Sequence, residues 1–305
     1  MRQLILSIWI FLFSVHVNGQ LYPISDQYVH NALAINPAFS GSQDALSTTF
    51  LYRNNWSGIE GSPKTMSLSV HTPLNNERVG LGFLIINDEI GVSKETSTIG
   101  NYAYRMDLGY GKLAFGLGFG VTVSKIEWNK LAAQDVGDEQ LTDNYSTGIM
   151  PNFSTGIYYT TKKYFIGLSA PLFLSHKYDS KKDKYIIIND FKEYNYFCNA
   201  GYILNIYQNI KFFPSLLIKY HQGNSTQIDI NSQVILKDKI WLGVSYRSKN
   251  ILVGMLQFQI NNQLRIAYSY DFNIGRYRQY TNGSHEIMLN YIFNYNADVV
   301  GPRQF

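Results

Sequence analysis

The chain predicts an all-β fold: a transmembrane antiparallel β-barrel of about 14 strands with a short N-terminal periplasmic or plug segment. Three observations predict it. The run Leu113–Ser124 alternates without a break, with Leu113, Phe115, Leu117, Phe119, Val121 and Val123 set against Ala114, Gly116, Gly118, Gly120, Thr122 and Ser124. Strand side chains repeat every two residues, so one face is wholly apolar and the other small and polar. A strand of this length suits a tilted bilayer crossing, which takes roughly 9–11 residues. Composition agrees. Tyr (24) and Phe (18) are abundant, as the aromatic belts of a barrel need. Charged residues are 16%, below the roughly 25% of an ordinary soluble domain. The third observation is the sorting of connection lengths, set out below with the strands.

Residues 1–19 read as a signal peptide. Arg2 supplies the positive start, Leu4 to Val15 the apolar core, and Val17-Asn18-Gly19 the cleavage site, which makes Gln20 the first mature residue. That core is short for a membrane helix, and no later apolar run approaches the length of one. Residues 20–44 form the leading segment. Asp26 to Leu33 is expected to be a short helix stopped by Asn36-Pro37, plugging or bracing the lumen from the periplasmic side.

The barrel occupies 45–293, with strands expected at 45–53, 64–72, 78–87, 95–106, 111–125, 150–160, 164–174, 194–206, 211–220, 225–236, 240–248, 251–260, 263–273 and 284–293. Pro171 makes 164–174 the weakest, because proline cannot donate to a ladder. The connections then sort by side. Odd ones run 54–63, 88–94, 126–149, 175–193, 221–224, 249–250 and 274–283, and most are long. Even ones run 73–77, 107–110, 161–163, 207–210, 237–239 and 261–262, and all are short. Bacterial barrels have short periplasmic turns and longer outside loops. An outer-membrane location with both termini periplasmic follows. Residues 294–305 form a periplasmic C-terminal tail ending in Phe305, which folds back or docks on a partner.

Charge and motifs exclude much. A net charge of +4 without a block of like charges implies no nucleic acid. Cys198 is the lone cysteine, so no internal disulfide forms, and its parity places it on an apolar face as a small hydrophobe. The histidines lack metal-ligand spacing, and no nucleophile elbow or phosphate loop is present; no cofactor, metal or catalytic set is expected. A rim hydrolase built on His71 with Ser67 or Ser69 is outweighed by ordinary polar lumen packing. By parity Arg53, Arg105, Asp107, Arg247, Arg265, Asp271 and Glu286 point inward. Inward placement is the cheap one, since Arg or Lys on the lipid face costs about 2–4 kcal/mol near the midplane. Their mixed signs favour a cross-linked, plugged interior over an open pore. Trp56, Trp128, Tyr145, Tyr277 and Tyr280 lie in the outer loops, where interface belt is the default and a protein-binding surface the alternative.

Several blocks carry a resemblance: Ile35-Asn36-Pro37-Ala38-Phe39-Ser40-Gly41, Tyr52-Arg53-Asn54-Asn55-Trp56, Ser62-Pro63-Lys64-Thr65, Gly80-Leu81-Gly82, Ile86-Asn87-Asp88-Glu89-Ile90-Gly91 and Tyr102-Ala103-Tyr104-Arg105. Together with the tail Pro302-Arg303-Gln304-Phe305, they resemble the PorP/SprF family, outer-membrane barrels of the Bacteroidota type IX secretion system. The match is dense over 22–125 and at the last four residues, and thin over 126–290. Asp26-Gln27-Tyr28-Val29-His30-Asn31 departs from the family's usual Ser-Gln-Tyr-Met-x-Asn.

The resemblance implies a non-enzymatic role. The protein would bind or anchor a large secreted adhesin of gliding motility, through its C-terminal domain, at the cell surface. Its partners would be other type IX secretion components and membrane lipid. The alternative is a passive transporter or channel for a small or hydrophobic solute. On physical grounds, Asn36 and Pro37 end the leading segment, Gly41 permits a turn that a Cβ forbids, and Arg53 is placed to bond the segment's carbonyls.

Overall fold

The computed structural model describes residues 25–74, 77–127, 145–146, 148–171, 175–179, 184–188, 190, 192, 194–222, 226–248 and 250–293. The expected signal peptide (1–19), the expected C-terminal tail (294–305) and Trp128 lie outside them. Fourteen antiparallel strands close into a barrel: β1 (Leu46–Asn54), β2 (Lys64–Pro73), β3 (Val79–Ile90), β4 (Ser93–Leu108), β5 (Gly111–Ile126), β6 (Met150–Thr160), β7 (Tyr164–Ala170), β8 (Asn195–Tyr202), β9 (Ile210–His221), β10 (Gln227–Leu236), β11 (Ile240–Arg247), β12 (Ile251–Gln259), β13 (Leu264–Asn273) and β14 (Ser284–Phe293). Each strand pairs with its sequence neighbour, and β1 pairs with β14 to close the ring, Arg53 opposite Glu286. A two-residue strand, Tyr145–Ser146, pairs with the end of β5, and Leu204–Tyr207 continues the line of β8.

The period of two decides which way each residue faces. Phe115, Leu117 and Phe119 of β5 are exposed on the outside, while Ala114, Gly118, Gly120 and Thr122 turn inward. Along β14 Ile287 and Leu289 face out, and Glu286, Met288 and Asn290 are buried inside. Cys198 lies on the outward parity of β8 with Tyr196 and Tyr202, half-buried.

Several boundaries differ from expectation for local reasons. β7 stops at Ala170, one residue before Pro171, whose ring removes the ladder donor. β8 breaks at Ile203, whose N–H leaves the ladder for the Lys163 carbonyl oxygen at 2.7 Å. The loop expected at 88–94 is mostly strand. β3 and β4 run on to a tight turn at Gly91, whose φ of +58° suits glycine. The expected loop 175–193 contains an unforeseen hairpin, Ser175–Asp179 paired with Lys184–Ile188. The short helix expected over 26–33 is instead a turn at 26–30 followed by two 3-10 turns, Ala32–Ala34 and Pro37–Phe39.

The core of the molecule is in the lumen. Val29, Leu33, Ile35 and Phe39 of the leading segment pack against Tyr158, Phe165, Phe197, Phe213, Leu217 and Trp241 from the barrel wall. The large apolar inward side chains of the wall come from β6 to β11, mixed there with polar ones such as Asn199, Asp229 and Arg247, while β13, β14, β1 and β2 turn mainly polar or charged residues inward.

Candidate functional site

The candidate site is the contact between residues 25–44 and the wall of the lumen around them. Its lower part is a seat cut for the Asn36–Gly41 turn. Asn36 caps the second 3-10 turn, its Oδ1 accepting the Ala38 N–H at 2.9 Å, and Pro37 fills the first turn position, where no amide donor is needed. The Asn36 amide also donates to the carbonyl of Ile157 on β6 (3.1 Å) and approaches that of Leu168 on β7 (3.4 Å). Ser169 donates to the Ile35 carbonyl at 2.7 Å.

Such close backbone approach needs wall positions without side chains. A Cβ on Gly80 would collide with the Ser40 carbonyl, one on Gly116 with the Ala38 backbone and one on Gly156 with the Asn36 amide, while one on Gly167 would strike Asn199 and crowd Asn36 at 3.0 Å. The alternating glycines of β3 and β5 thus form a groove for another stretch of backbone. Gly41 turns the chain out of this seat at φ +74°, with its own Cβ position 2.8 Å from the Gly80 Cα. Its N–H donates to His71 Nδ1 at 3.2 Å, and the His71 ring meets Phe39 edge-on at 5.2 Å.

The upper part is an ionic knot. Asp26 is bonded by Arg53 of β1 and by Arg247 of β11 (2.8 Å), and accepts from Ser269 of β13 at 2.9 Å. Arg53 also reaches Asp271 (2.6 Å) and Glu286 (3.0 Å), and Arg247 reaches Asp229 (2.9 Å) and Asp271 (3.2 Å). Glu286 accepts from the Ser25 hydroxyl at 2.8 Å and from the Asp26 and Gln27 amides at 3.1 and 3.0 Å. All these carboxylates and guanidiniums are buried. Charge-assisted bonds of this kind are stronger than neutral ones, and removing one partner of a buried pair costs about 3–5 kcal/mol because the other charge is stranded. Between knot and seat, Gln257 donates to Gln27 (2.8 Å), Arg265 meets His30 (3.1 Å) while stacking on Trp241 (4.6 Å), and Ser69 donates to Asn31 (2.7 Å).

Most of the lumen charges expected from parity are here: Arg53, Arg105, Arg247, Arg265, Asp271 and Glu286 are all buried inside. Asp107 is not. It has the inward parity but lies at the end of β4, exposed, because the strand has run past the lumen. The role expected of Arg53 also changes hands. Arg53 takes carboxylates, and the carbonyl of Gly41 is instead bonded by Arg105, which also pairs with Asp44 at 3.1 Å. Ser69 and His71, the best hydrolase candidates, both hold the leading segment.

Asp26, Asp229 and the wall glycines Gly80, Gly116, Gly156 and Gly167 were missed as site residues. The alternation of glycine in β3 and β5 was a signal for Gly80 and Gly116. Among the aromatics expected in outer loops, Trp56 and Tyr280 are exposed, at 45% and 66%. Their loops are joined by backbone bonds from Ser57 N–H to the Gly283 carbonyl (2.7 Å) and from Asn282 N–H to the Ser57 carbonyl (2.8 Å). Tyr145 lies in the two-residue strand beside β5 and Tyr277 in the 3-10 turn Arg276–Tyr280; their side chains are outside the description. Among the described residues no group of His, Cys, Asp and Glu is arranged to hold a metal ion.

Comparison with known proteins agrees with this architecture. The model of the family described as "Type IX secretion system membrane protein PorP/SprF" matches residues 17–291. No curated protein matches the chain. Among solved structures, the CymD monoaromatic hydrocarbon channel aligns with a TM-score of 0.52 at 11% identity, over 91% of this chain and 95% of that one. The Acinetobacter baumannii outer membrane protein Omp33 aligns at 0.48 and 8% identity, over 82% of this chain and 100% of that one. At such identities the likeness is one of fold.

Proposed function

Since the chain belongs to the PorP/SprF family of type IX secretion system membrane proteins, we propose that it works as a closed outer-membrane barrel that binds or anchors a secreted surface protein. The partner is a large gliding adhesin or its C-terminal domain, met at the long-loop mouth, with other type IX secretion components as neighbours. Family and fold are those of a secretion-system membrane barrel rather than of a known enzyme class. The long loops face outward from the cell, and β1 begins and β14 ends at the periplasmic mouth. Lipid covers the apolar outer face.

One observation carries this reading over that of a passive channel: the lumen is occupied. Val29, Leu33, Ile35 and Phe39 are 1–2% exposed against the wall, and the segment bonds to strands around the ring from β1 to β14. A barrel filled this way offers its mouth as a surface. Trp56 and Tyr280, on loops fastened to one another, fit the aromatic anchors of a protein interface.

The test is purification from native membranes in mild detergent. The expected result is a co-purifying secreted surface protein or its C-terminal fragment, lost from the Trp56→Ala, Tyr280→Ala double variant. Recovery of the barrel alone, together with steady conductance of the wild-type protein in planar bilayers, would decide for solute transport.

A further inference from the structure

We infer that the leading segment climbs the barrel from β1 and delivers its Ser25 end to the long-loop mouth, beside the loops that carry Trp56 and Tyr280. The path of the leading segment shows the direction. Asp44, just before β1, is held by Arg105 near the short-turn end of β4, and Gly41 lies against Pro73 and Gly80 at the short-turn ends of β2 and β3. Ser25, Asp26 and Gln27 are held at the opposite end. Their partners are Arg53, next to last in β1, Arg247, the last residue of β11, Asp271, near the end of β13, and Glu286, near the start of β14. All four lie on the long-loop side of the barrel, Arg247 beside the one short connection there, 248–250.

Along β1 the two levels are seven residues apart, Leu46 to Arg53. At about 3.4 Å per residue and a tilt of about 40°, that is roughly 18 Å of height, most of the apolar band of about 25 Å. The segment therefore climbs the lumen in reverse, from its attachment to β1 at the bottom to Ser25 at the top.

Burial agrees. Residues 26–33 are all buried, whereas Ser25 is only half-buried, so the enclosure opens there. A return to the short-turn mouth would have to pass the seat, where Ala38 and Phe39 are 1% exposed and glycines on neighbouring strands already touch backbone. The exit is next to the joined loops. Glu286, which holds Ser25, is two residues from Ser284, whose hydroxyl accepts the Trp56 N–H at 3.1 Å.

This path runs against the expectation that the amino terminus, like the carboxyl terminus, is periplasmic. The strands meet the periplasm at both ends, but the chain before β1 doubles back inside them. A partner on the long-loop side can grip the free end of the plug, and one on the short-turn side cannot. That this mouth is the cell exterior rests on the orientation proposed above.

Single-cysteine variants of the full-length protein in cells test this, in a Cys198→Ala background. Ser25→Cys and Tyr22→Cys report on the leading segment, Tyr280→Cys on the long loops and Tyr110→Cys on a short turn, where the side chain is fully exposed. The probe is a polyethylene-glycol maleimide too large for porins, applied to intact cells and to cells with a permeabilised outer membrane. The expected result is that Tyr22→Cys or Ser25→Cys reacts in intact cells together with Tyr280→Cys, while Tyr110→Cys reacts only after permeabilisation. Reaction of both leading-segment variants only with the Tyr110→Cys set overturns the inference, as does failure of both to react from either side. If Tyr280→Cys needs permeabilisation and the leading segment still follows it, the orientation of the barrel fails and the path of the plug stands.

Discussion

Arg53 is the residue on which the lumen turns. It sits on β1 opposite Glu286 of β14, so it belongs to the closing seam, and through Asp26 it also belongs to the plug. Arg53→Ala would leave Asp26 and Asp271 with Arg247 alone and take from Glu286 its guanidinium partner. The expected loss is about 3–5 kcal/mol. It should fall on the plug first, because the β1–β14 ladder is backbone and survives the change. Limited proteolysis measures this: new cleavage confined to 20–44, with the strands still protected, is expected, and unchanged protection would refute it. Arg53 was recognisable as the single charge, at inward parity, on an otherwise uncharged strand. Its partners were not, since Asp26, Asp271 and Glu286 are distant in sequence and no local rule joins them.

At the scale of elements, β3, β5, β6 and β7 work as a seat. Gly116→Val puts two methyls and a Cβ where the Ala38 backbone lies, and backbone cannot move aside as a side chain can. Overpacking typically costs about 1–3 kcal/mol, and here the simplest relief is to expel the turn. The variant should remain a folded barrel, judged by its heat-shifted mobility in SDS gels, and should conduct in planar bilayers where the wild type does not. On the outer face of the same strand, Leu117→Arg should cost about 2–4 kcal/mol of stability in lipid without opening the lumen, read from denaturant unfolding in bilayers.

The short turn from β2 to β3 gives a pH effect of small size. Lys112 donates to Glu77 at 2.7 Å, and this bond and the ammonium charge lower the Glu77 carboxyl below its ordinary value. The pair therefore stabilises above the ordinary carboxylate range and is lost as pH falls through that range to the depressed value. Exposure limits it to a few tenths of a kcal/mol. Glu77→Gln should flatten a shallow acid loss of stability measured between neutral pH and pH about 4.

At the scale of the whole molecule, the barrel and its plug are separable in principle and interlocked in fact. The strands close through backbone pairing, and the apolar core lies between wall and plug. Deleting residues 25–43 should leave a barrel that inserts but is less stable to heat and conducts ions, while losing the surface partner if the plug helps to present the mouth. A deletion variant that stays closed would mean that wall side chains alone fill the lumen.

The sequence by itself determined the strand number, the faces of most strands and the sorting of long and short connections. Each depends on local rules: a period of two, the cost of charge against lipid, and the turn preferences of glycine and proline. It also marked Asn36, Pro37, Gly41 and the inward arginines. Only the tertiary structure decided what those residues touch. The direction in which the leading segment threads the barrel, the glycine groove beneath it and the pairing of Asp26 with Arg53 and Arg247 arise when a ring of strands closes around a chain. Those contacts join residues up to 261 positions apart, and periodicity carries no information at that range.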